Sequence, residues 1–182
     1  MTFAHMLGDG NREPEKGIVM ATEENQVQAS ADTITGSMDV EHTRLRDLWE
    51  QTTAALNAEE FGKLHSLVRD LIAALKRHIS VEEQILFPAI ESKSKNNEPT
   101  NAMRLEHRQM EHMLEQLKPL LTVAELWTGI KAVEGQEIEP GALLRSHENK
   151  EHDVLYPLAD RLLGGEEART LVARMRTAQD KG

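Results

Sequence analysis

Apolar residues recur every three or four positions along four long stretches of the chain. The stretches cover residues 38–56, 64–89, 103–121 and 144–158. Steps of three and four residues return to the same face of an α-helix, which turns once every 3.6 residues. The pattern therefore predicts four amphipathic helices, each with one inward stripe and polar residues on the other side.

Turn residues separate these helices and set the predicted boundaries. Residues 92–100, with Asn and Pro in sequence, predict a loop, and Gly164-Gly165 predicts the end of the fourth helix. Residues 1–36 show no sustained period and predict a flexible N-terminal tail. The domains are then the tail, a helical domain over residues 37–164, and a C-terminal amphipathic helix over residues 165–182.

Two details of the helix ends also follow from the sequence. Ser37 or Asp39 is a candidate N-cap for the first helix, because both side chains can accept a hydrogen bond from a free backbone N–H. Pro88 near the end of the second helix predicts a kink or a frayed last turn, because proline lacks the N–H that an α-helix requires.

Six polar residues occupy positions on the apolar stripes. The second and fourth helices each carry a histidine and, four residues later, a glutamate on the same face. In both copies an aliphatic residue, an aromatic residue and a proline follow. The first and third helices each carry one histidine. The six residues are His42, His78, Glu82, His107, His147 and Glu151.

The two halves of the chain thus repeat the pattern of a helical hairpin. Two such hairpins packed together give an all-α fold, an antiparallel four-helix bundle, followed by the C-terminal helix. Metal sites in bundles are made from side chains on facing helices. The repeat therefore predicts that the two His–Glu pairs meet in the core.

A shared metal centre accounts for six such groups better than six separate roles do. Buried imidazoles and carboxylates are costly unless they are paired or bind a cation. A single histidine on an apolar stripe is usually satisfied by a hydrogen bond. Four histidines and two glutamates in phase exceed what one tetrahedral zinc needs, and they suit two octahedral ions bridged by carboxylates. The chain has no cysteine, which excludes thiolate ligands and iron–sulfur clusters.

Charge and hydropathy limit the partners and the cellular location that the sequence allows. The formal net charge of −10 argues against nucleic acid and anionic membranes as partners. No run of about eighteen apolar residues is present to span a bilayer, and no secretory signal precedes the helices. We therefore expect a soluble, cytoplasmic protein.

At residues 38–163 the chain resembles the hemerythrin-like proteins with their HHE cation-binding motif. The resemblance rests on His42, on His78 and Glu82 with Leu86-Phe87-Pro88, on Glu106-His107, and on His147 and Glu151 with Leu155-Tyr156-Pro157. It implies a centre of two non-haem iron ions bridged by Glu82, Glu151 and an oxo or hydroxo group. One iron would take His42 and His78, and the other His107 and His147.

The sequence departs from the oxygen-carrying hemerythrins at two positions. Those proteins have a fifth histidine one turn after the third-helix histidine, where this chain has Glu111. The fifth ligand is therefore either Glu111 or absent. They also place the fourth-helix carboxylate five residues after its histidine, where this chain has His152. The repeat favours Glu151 as the bridge, and His152 remains a substitute candidate.

Three functions are open at this point. The resemblance implies a protein that binds or senses O₂ or NO at the di-iron centre. It is also compatible with a stress enzyme or iron-cluster-repair protein that handles iron, NO or peroxide, and Glu111 would favour this reading by stabilising ferric iron. The third is a metal-free helical interaction module, which would have to bury the six polar groups without a cation.

Overall fold

The computed structural model describes residues 32–117 and 140–180, and every regular element in these ranges is helical. This confirms the predicted all-α class. Most of the predicted N-terminal tail, and the end of the third apolar stripe beyond residue 117, lie outside the described residues. The α-helices are α1 (Ile34–Asn57), α2 (Phe61–Val81), α3 (Phe87–Lys93), α4 (Glu98–Leu117), α5 (Pro140–Lys150), α6 (Tyr156–Leu163) and α7 (Gly165–Asp180).

Helix α1 begins at Ile34, because its first backbone N–H groups are capped from two directions. Thr33 is the N-cap, and its Oγ1 accepts a hydrogen bond from Gly36 N at 2.9 Å. The carboxylate of Asp160 accepts hydrogen bonds from Ile34 N at 2.8 Å and from Thr35 N at 3.1 Å. The hydroxyl of Thr35 also donates to Asp160, at 2.6 Å. The start of the first helix is thereby tied to α6.

The predicted N-cap was wrong. Ser37 and Asp39 both lie inside α1, and Ser37 is buried. The helix begins at Ile34, with Thr33 as its N-cap, because Asp160 accepts hydrogen bonds from the next two backbone N–H groups across 126 and 125 residues of sequence. A pattern of neighbouring residues does not show such a contact.

Each glutamate of the repeated motif starts a π-turn, in which hydrogen bonds join residues five apart instead of four. The first π-turn is Glu82–Leu86, between α2 and α3, and the Phe87 N–H donates to the Glu82 carbonyl. The second π-turn is Glu151–Leu155, between α5 and α6, and the Tyr156 N–H donates to the Glu151 carbonyl. A proline follows each of these two aromatic residues.

The π-turns correct the predicted stripes in the last part of the second and fourth helices. A straight α-helical period would place Ile85 and Val154, seven residues after His78 and His147, on the inward stripe. Ile85 is only half-buried, however, and Val154 is 56% exposed. Leu86 and Leu155, one position later, are buried instead. One extra residue in the turn rotates the side chains that follow it about the helix axis. Pro88 does not fray the helix either, because α3 continues through it to Lys93.

Two apolar clusters form the core, and the histidines lie between them along the helices. On α1, His42 is flanked by Met38 of the first cluster and Leu45 of the second. On α4, His107 is flanked in the same way by Met103 and Met110. The polar residues therefore form a layer with apolar packing on both sides. The first cluster also contains Leu86, Phe87, Leu155 and Tyr156, and the second also contains Leu75, Ile79, Leu114 and Leu144.

Helix α7 confirms the predicted C-terminal helix and belongs to the first cluster. It contacts α1, α2, α6 and the first π-turn. Its buried residues are Ala168, Leu171, Val172 and Met175.

Among the described helices, none combines the length and the apolar character that crossing a membrane requires.

Candidate metal centre

The six polar residues on the predicted stripes are all deeply buried. None of them is more than 1% exposed. Two lie on α1 and α4, two on α2 and α5, and the two glutamates begin the π-turns. They are His42, His107, His78, His147, Glu82 and Glu151.

Glu82 and Glu151 lie in the middle of the group. Together with His78 and His147 they offer four ligand atoms that all lie within 4.8 Å of one another. The His–x3–Glu spacing explains half of this, because each histidine and its glutamate share a helix face. The packing of the two His–x3–Glu motifs against each other brings the two pairs together.

His107 and His147 form one pair of imidazoles. Their ring centroids are 4.9 Å apart, and their Nε2 atoms face each other at 3.1 Å. His107 Nε2 lies 3.1 Å from Glu82 Oε2, and His147 Nε2 lies 2.8 Å from Glu151 Oε1. Both rings thus direct Nε2 toward the glutamates.

His42 and His78 form the second pair, also with ring centroids 4.9 Å apart. His42 Nε2 lies 3.3 Å from Glu151 Oε2, and His78 Nε2 lies 3.9 Å from the same oxygen. His78 Nε2 is also 3.5 Å from Glu82 Oε2. The two oxygens of Glu151 therefore face different histidine pairs: Oε1 faces His147 and Oε2 faces His42.

Two further carboxylates hold the first pair from outside. His107 Nδ1 lies 3.0 Å from Glu83 Oε1, and His147 Nδ1 lies 3.0 Å from Glu106 Oε2. Lys150 donates a hydrogen bond to the other oxygen of Glu106 at 2.6 Å. A carboxylate on Nδ1 fixes the ring orientation and keeps the proton on that nitrogen, which leaves Nε2 free as a ligand. The sequence analysis named Glu106 only as part of the family motif and did not predict its contact with His147.

The hydroxyl of Tyr156 also enters the centre, and the sequence analysis did not predict this. Tyr156 is fully buried, and its hydroxyl donates to Glu82 Oε1 at 2.7 Å and to Glu151 Oε2 at 3.1 Å. Its Oη lies 3.2 Å from His42 Nε2. The corresponding residue of the first motif, Phe87, has no hydroxyl and stacks on His107 with a centroid distance of 5.5 Å.

The second π-turn is what brings Tyr156 to Glu151. In an α-helix, residues five apart point about 140° away from each other. In a π-turn the hydrogen bond itself joins residues five apart, so their side chains come to the same face. In the sequence, the repeated aromatic–proline step after each His–Glu pair marked this position but did not show the change in helical period.

Burial and mutual repulsion give the two central carboxylates different proton affinities. Burial, reinforced by the nearby charge of Glu151, raises the pKa of Glu82 to about 7. Burial acts in the same direction on Glu151. Its close contacts with His147 and His42 outweigh that effect and hold the pKa of Glu151 well below its usual value.

The pKa values of two of the histidines also shift in opposite directions. Burial lowers the pKa of His147, but the contact with Glu151 outweighs it and, with Glu82 and Glu106, raises the pKa to about 9. Burial, together with the neighbouring His42, holds the pKa of His78 well below the usual range. Without a cation, the centre therefore keeps a proton on His147 at neutral pH while His78 is neutral.

Four buried atoms at this centre lack a hydrogen bond of good geometry within the described residues, although the two carboxylate oxygens among them lie at ion-pair distance from His107 and His147. They are the Nδ1 and Nε2 atoms of His78, Glu82 Oε2 and Glu151 Oε1. Buried polar atoms without partners are costly, and imidazole nitrogens and carboxylate oxygens are metal ligands. Three of the four atoms lie within 3.5 Å of another nitrogen or oxygen atom of the group. The residues present therefore fit a bound cation.

Two of the candidate residues from the sequence are not brought to this centre. Glu111 is exposed, because the buried stripe of α4 steps from His107 to Met110 and leaves Glu111 on its flank. His152 is also exposed, and its side chain lies near Asp39 and Asp153. Of the two alternatives at the second motif, Glu151 is thus the buried one, as the repeat indicated.

A helical chain with a buried layer of four histidines and two glutamates is a candidate metal-binding protein by fold and by donor set. The family model for the hemerythrin HHE cation-binding domain matches residues 33–159. The chain belongs to this family, as its motifs indicated. No curated protein matches the chain. No solved structure matches it either.

Proposed function

We propose that the chain binds two non-haem iron ions, bridged by Glu82 and Glu151 and by an oxo or hydroxo group. His42 and His78 would hold one ion, and His107 and His147 the other. The observation that carries the proposal is the orientation of Glu151, whose two oxygens face different histidine pairs. A carboxylate in that position is suited to bridge two cations.

The proposed centre requires the helices that carry it to form an antiparallel four-helix bundle. The contacts of α1 with α2 and α6, of α2 with α4, and of α4 with α5 support this arrangement. The choice of iron is supported by the family and by the donor set. Imidazole with carboxylate suits iron among the first-row metals, and the number of donors exceeds a single tetrahedral site.

The function proposed for this centre is binding or sensing of O₂ or NO. Iron would supply an open coordination position and a reversible change of oxidation state. The chain itself would exclude water, because Leu45 and Leu144 are buried one turn from His42 and His147 in the second apolar cluster. Glu111 has no part in this proposal, since its side chain is exposed. Because Glu111 does not reach the centre, it gives no reason to prefer the stress enzyme, which it would favour only by stabilising ferric iron.

The test of the metal centre is the iron content of protein purified from iron-supplemented cells. We expect two iron ions per chain, and a loss of iron in His147→Gln. His152→Gln is the matched control, because His152 lies on the exposed face of the second motif, and it should keep both ions. Iron-free wild-type protein, or a His147→Gln variant with full iron content, would contradict the proposal.

A visible spectrum separates reversible binding from turnover. For a binding or sensing protein, an absorption band formed in air should disappear on deoxygenation and return in air. Irreversible oxidation with catalytic consumption of peroxide would instead indicate the stress enzyme that the same family motif allows.

A further inference from the structure

Tyr156 makes the two halves of the centre different, although their histidines and glutamates repeat. The equivalent residue of the first motif, Phe87, offers only a ring face to His107. On the other side, Tyr156 places an oxygen among His42, Glu82 and Glu151. A phenolic oxygen is therefore present at the pair of His42 and His78 and absent at the pair of His107 and His147.

The distances around the Tyr156 hydroxyl match those between neighbouring ligands of one cation. Two adjacent ligand atoms of an octahedral ion, each about 2.1 Å from it, lie roughly 3 Å apart. Tyr156 Oη lies 2.7 Å from Glu82 Oε1, 3.1 Å from Glu151 Oε2 and 3.2 Å from His42 Nε2. His42 Nε2 and Glu151 Oε2 are 3.3 Å apart. An ion bound to His42 Nε2 and Glu151 Oε2 can therefore also reach Tyr156 Oη with little movement of the side chains.

The position of Tyr156 is also held by packing. Its ring is fully buried in the first apolar cluster, and the second π-turn places it on the same face as Glu151. The ring lies 5.6 Å from the His42 ring between centroids. Because backbone and ring are both fixed, the hydroxyl cannot turn to solvent, and it must either donate to the carboxylates or bind a cation.

We propose that Tyr156 is a ligand of the ion held by His42 and His78. This rests on the proposed function, because it assumes that the centre binds iron. On binding, the phenolic O–H bond breaks, a bond forms between Oη and the ion, and the proton leaves to water. No electron is transferred in this step. The ion at His107 and His147 has no such ligand, so the two positions are chemically distinct.

The composition of the chain makes the test specific, because Tyr156 is its single tyrosine. Any signal of an iron-bound phenolate must come from this residue. We expect the ferric wild-type protein to show resonance Raman bands of a bound phenolate, and these bands to shift when the protein is grown with ring-deuterated tyrosine. They should be absent from Tyr156→Phe.

Iron content separates the two proposals. Protein with two iron ions and no tyrosine-dependent band would overturn the ligand role of Tyr156 and leave the di-iron centre standing. Protein without iron would overturn both. As a second measurement, gallium(III) added to metal-free wild-type protein should produce the ultraviolet difference spectrum of an ionised tyrosine. The same spectrum after Tyr156→Phe would contradict the assignment.

Discussion

Glu83 Oε1 lies 3.0 Å from Nδ1 of His107, a residue that reaches it from another helix. Glu106 stands in the same relation to His147, also at 3.0 Å. Each carboxylate occupies the outer ring nitrogen and leaves the inner one facing the central glutamates. One histidine pair is therefore oriented by the protein before any cation binds.

Replacing either outer carboxylate should weaken cation binding. Carboxylates that orient metal-binding histidines typically contribute about 10- to 100-fold in affinity. We expect losses in this range for Glu83→Gln and Glu106→Gln, measured by competition with a chromophoric chelator. Glu111→Gln is the control, because Glu111 lies on the exposed flank of α4, the same helix as Glu106. An equal loss in Glu111→Gln would restore that residue as a candidate ligand.

The stability of the metal-free protein should fall as the pH rises from 7 to 9. The pKa of His147 is raised to about 9 in the folded protein, above the ordinary value of 6.5. A raised histidine pKa stabilises the fold below the unfolded value, and this contribution is lost as the pH rises through the folded value. The expected loss from His147 is on the order of 2 kcal/mol between pH 7 and 9. His42 and His107 also have raised pKa values and act in the same direction.

Denaturant unfolding of the metal-free protein at several pH values checks this prediction. His147→Gln is the informative variant, since it should flatten most of the slope between pH 7 and 9. A cation must displace the proton from His147, so cation affinity should rise with pH over the same range. A metal-free protein that is more stable at pH 9 than at pH 7 would contradict the assigned proton on His147.

Removing the metal should lower the melting temperature. A ligand that binds only the folded state adds about 2.7 kcal/mol when its concentration is 100 times its dissociation constant. Both ring nitrogens of the buried His78 lack hydrogen bonds without a cation, which gives a structural reason for the loss. Thermal unfolding followed by circular dichroism, with and without chelator, measures the difference. An unchanged melting temperature would count against a structural role of the cation.

The second π-turn predicts opposite sensitivities for two neighbouring residues. Leu155 is buried in the first apolar cluster, whereas Val154 is 56% exposed. We expect Leu155→Ala to cost about 2–5 kcal/mol, as truncation of a buried leucine usually does. Val154→Ala should change stability by less than about 0.5 kcal/mol. The reverse order, seen in denaturant unfolding, would indicate a straight α-helix through this region.

The contribution of the Asp160 cap to stability can be tested by substitution. Its carboxylate accepts hydrogen bonds from the backbone of Ile34 and Thr35. Loss of an N-cap costs about 0.5–2 kcal/mol, so Asp160→Ala should lower the unfolding free energy by that amount. Asp153→Ala is the control, because the Asp153 side chain is 74% exposed. Equal effects of the two substitutions would show that the cap contributes nothing measurable.

The sequence could predict what depends on local spacing. His78 with Glu82, and His147 with Glu151, share a helix face because four residues make about one turn, and the helical class follows from the same period. The contacts that complete the centre depend instead on packing between distant segments. Glu106 reaches His147 from another helix, and Asp160 caps a helix 126 residues earlier in the chain.

The remaining errors come from a change in helical period that the sequence alone did not show. A period of 3.6 residues carried through Glu151 places Val154 inward and turns Tyr156 away from the centre. The π-turn reverses both assignments. Glu111 became a candidate in a different way, from the family resemblance, which places a ligand one turn after His107. The buried stripe of α4 runs through Met110 instead.

The cap between α6 and α1 bears on where this domain can be cut. The family match ends at residue 159, one position before the carboxylate that holds the first helix. A polypeptide trimmed to the matched residues would lose that anchor and also the four apolar side chains with which α7 closes the first cluster. We therefore expect a stably folded fragment to extend beyond the family boundary, at least through Met175.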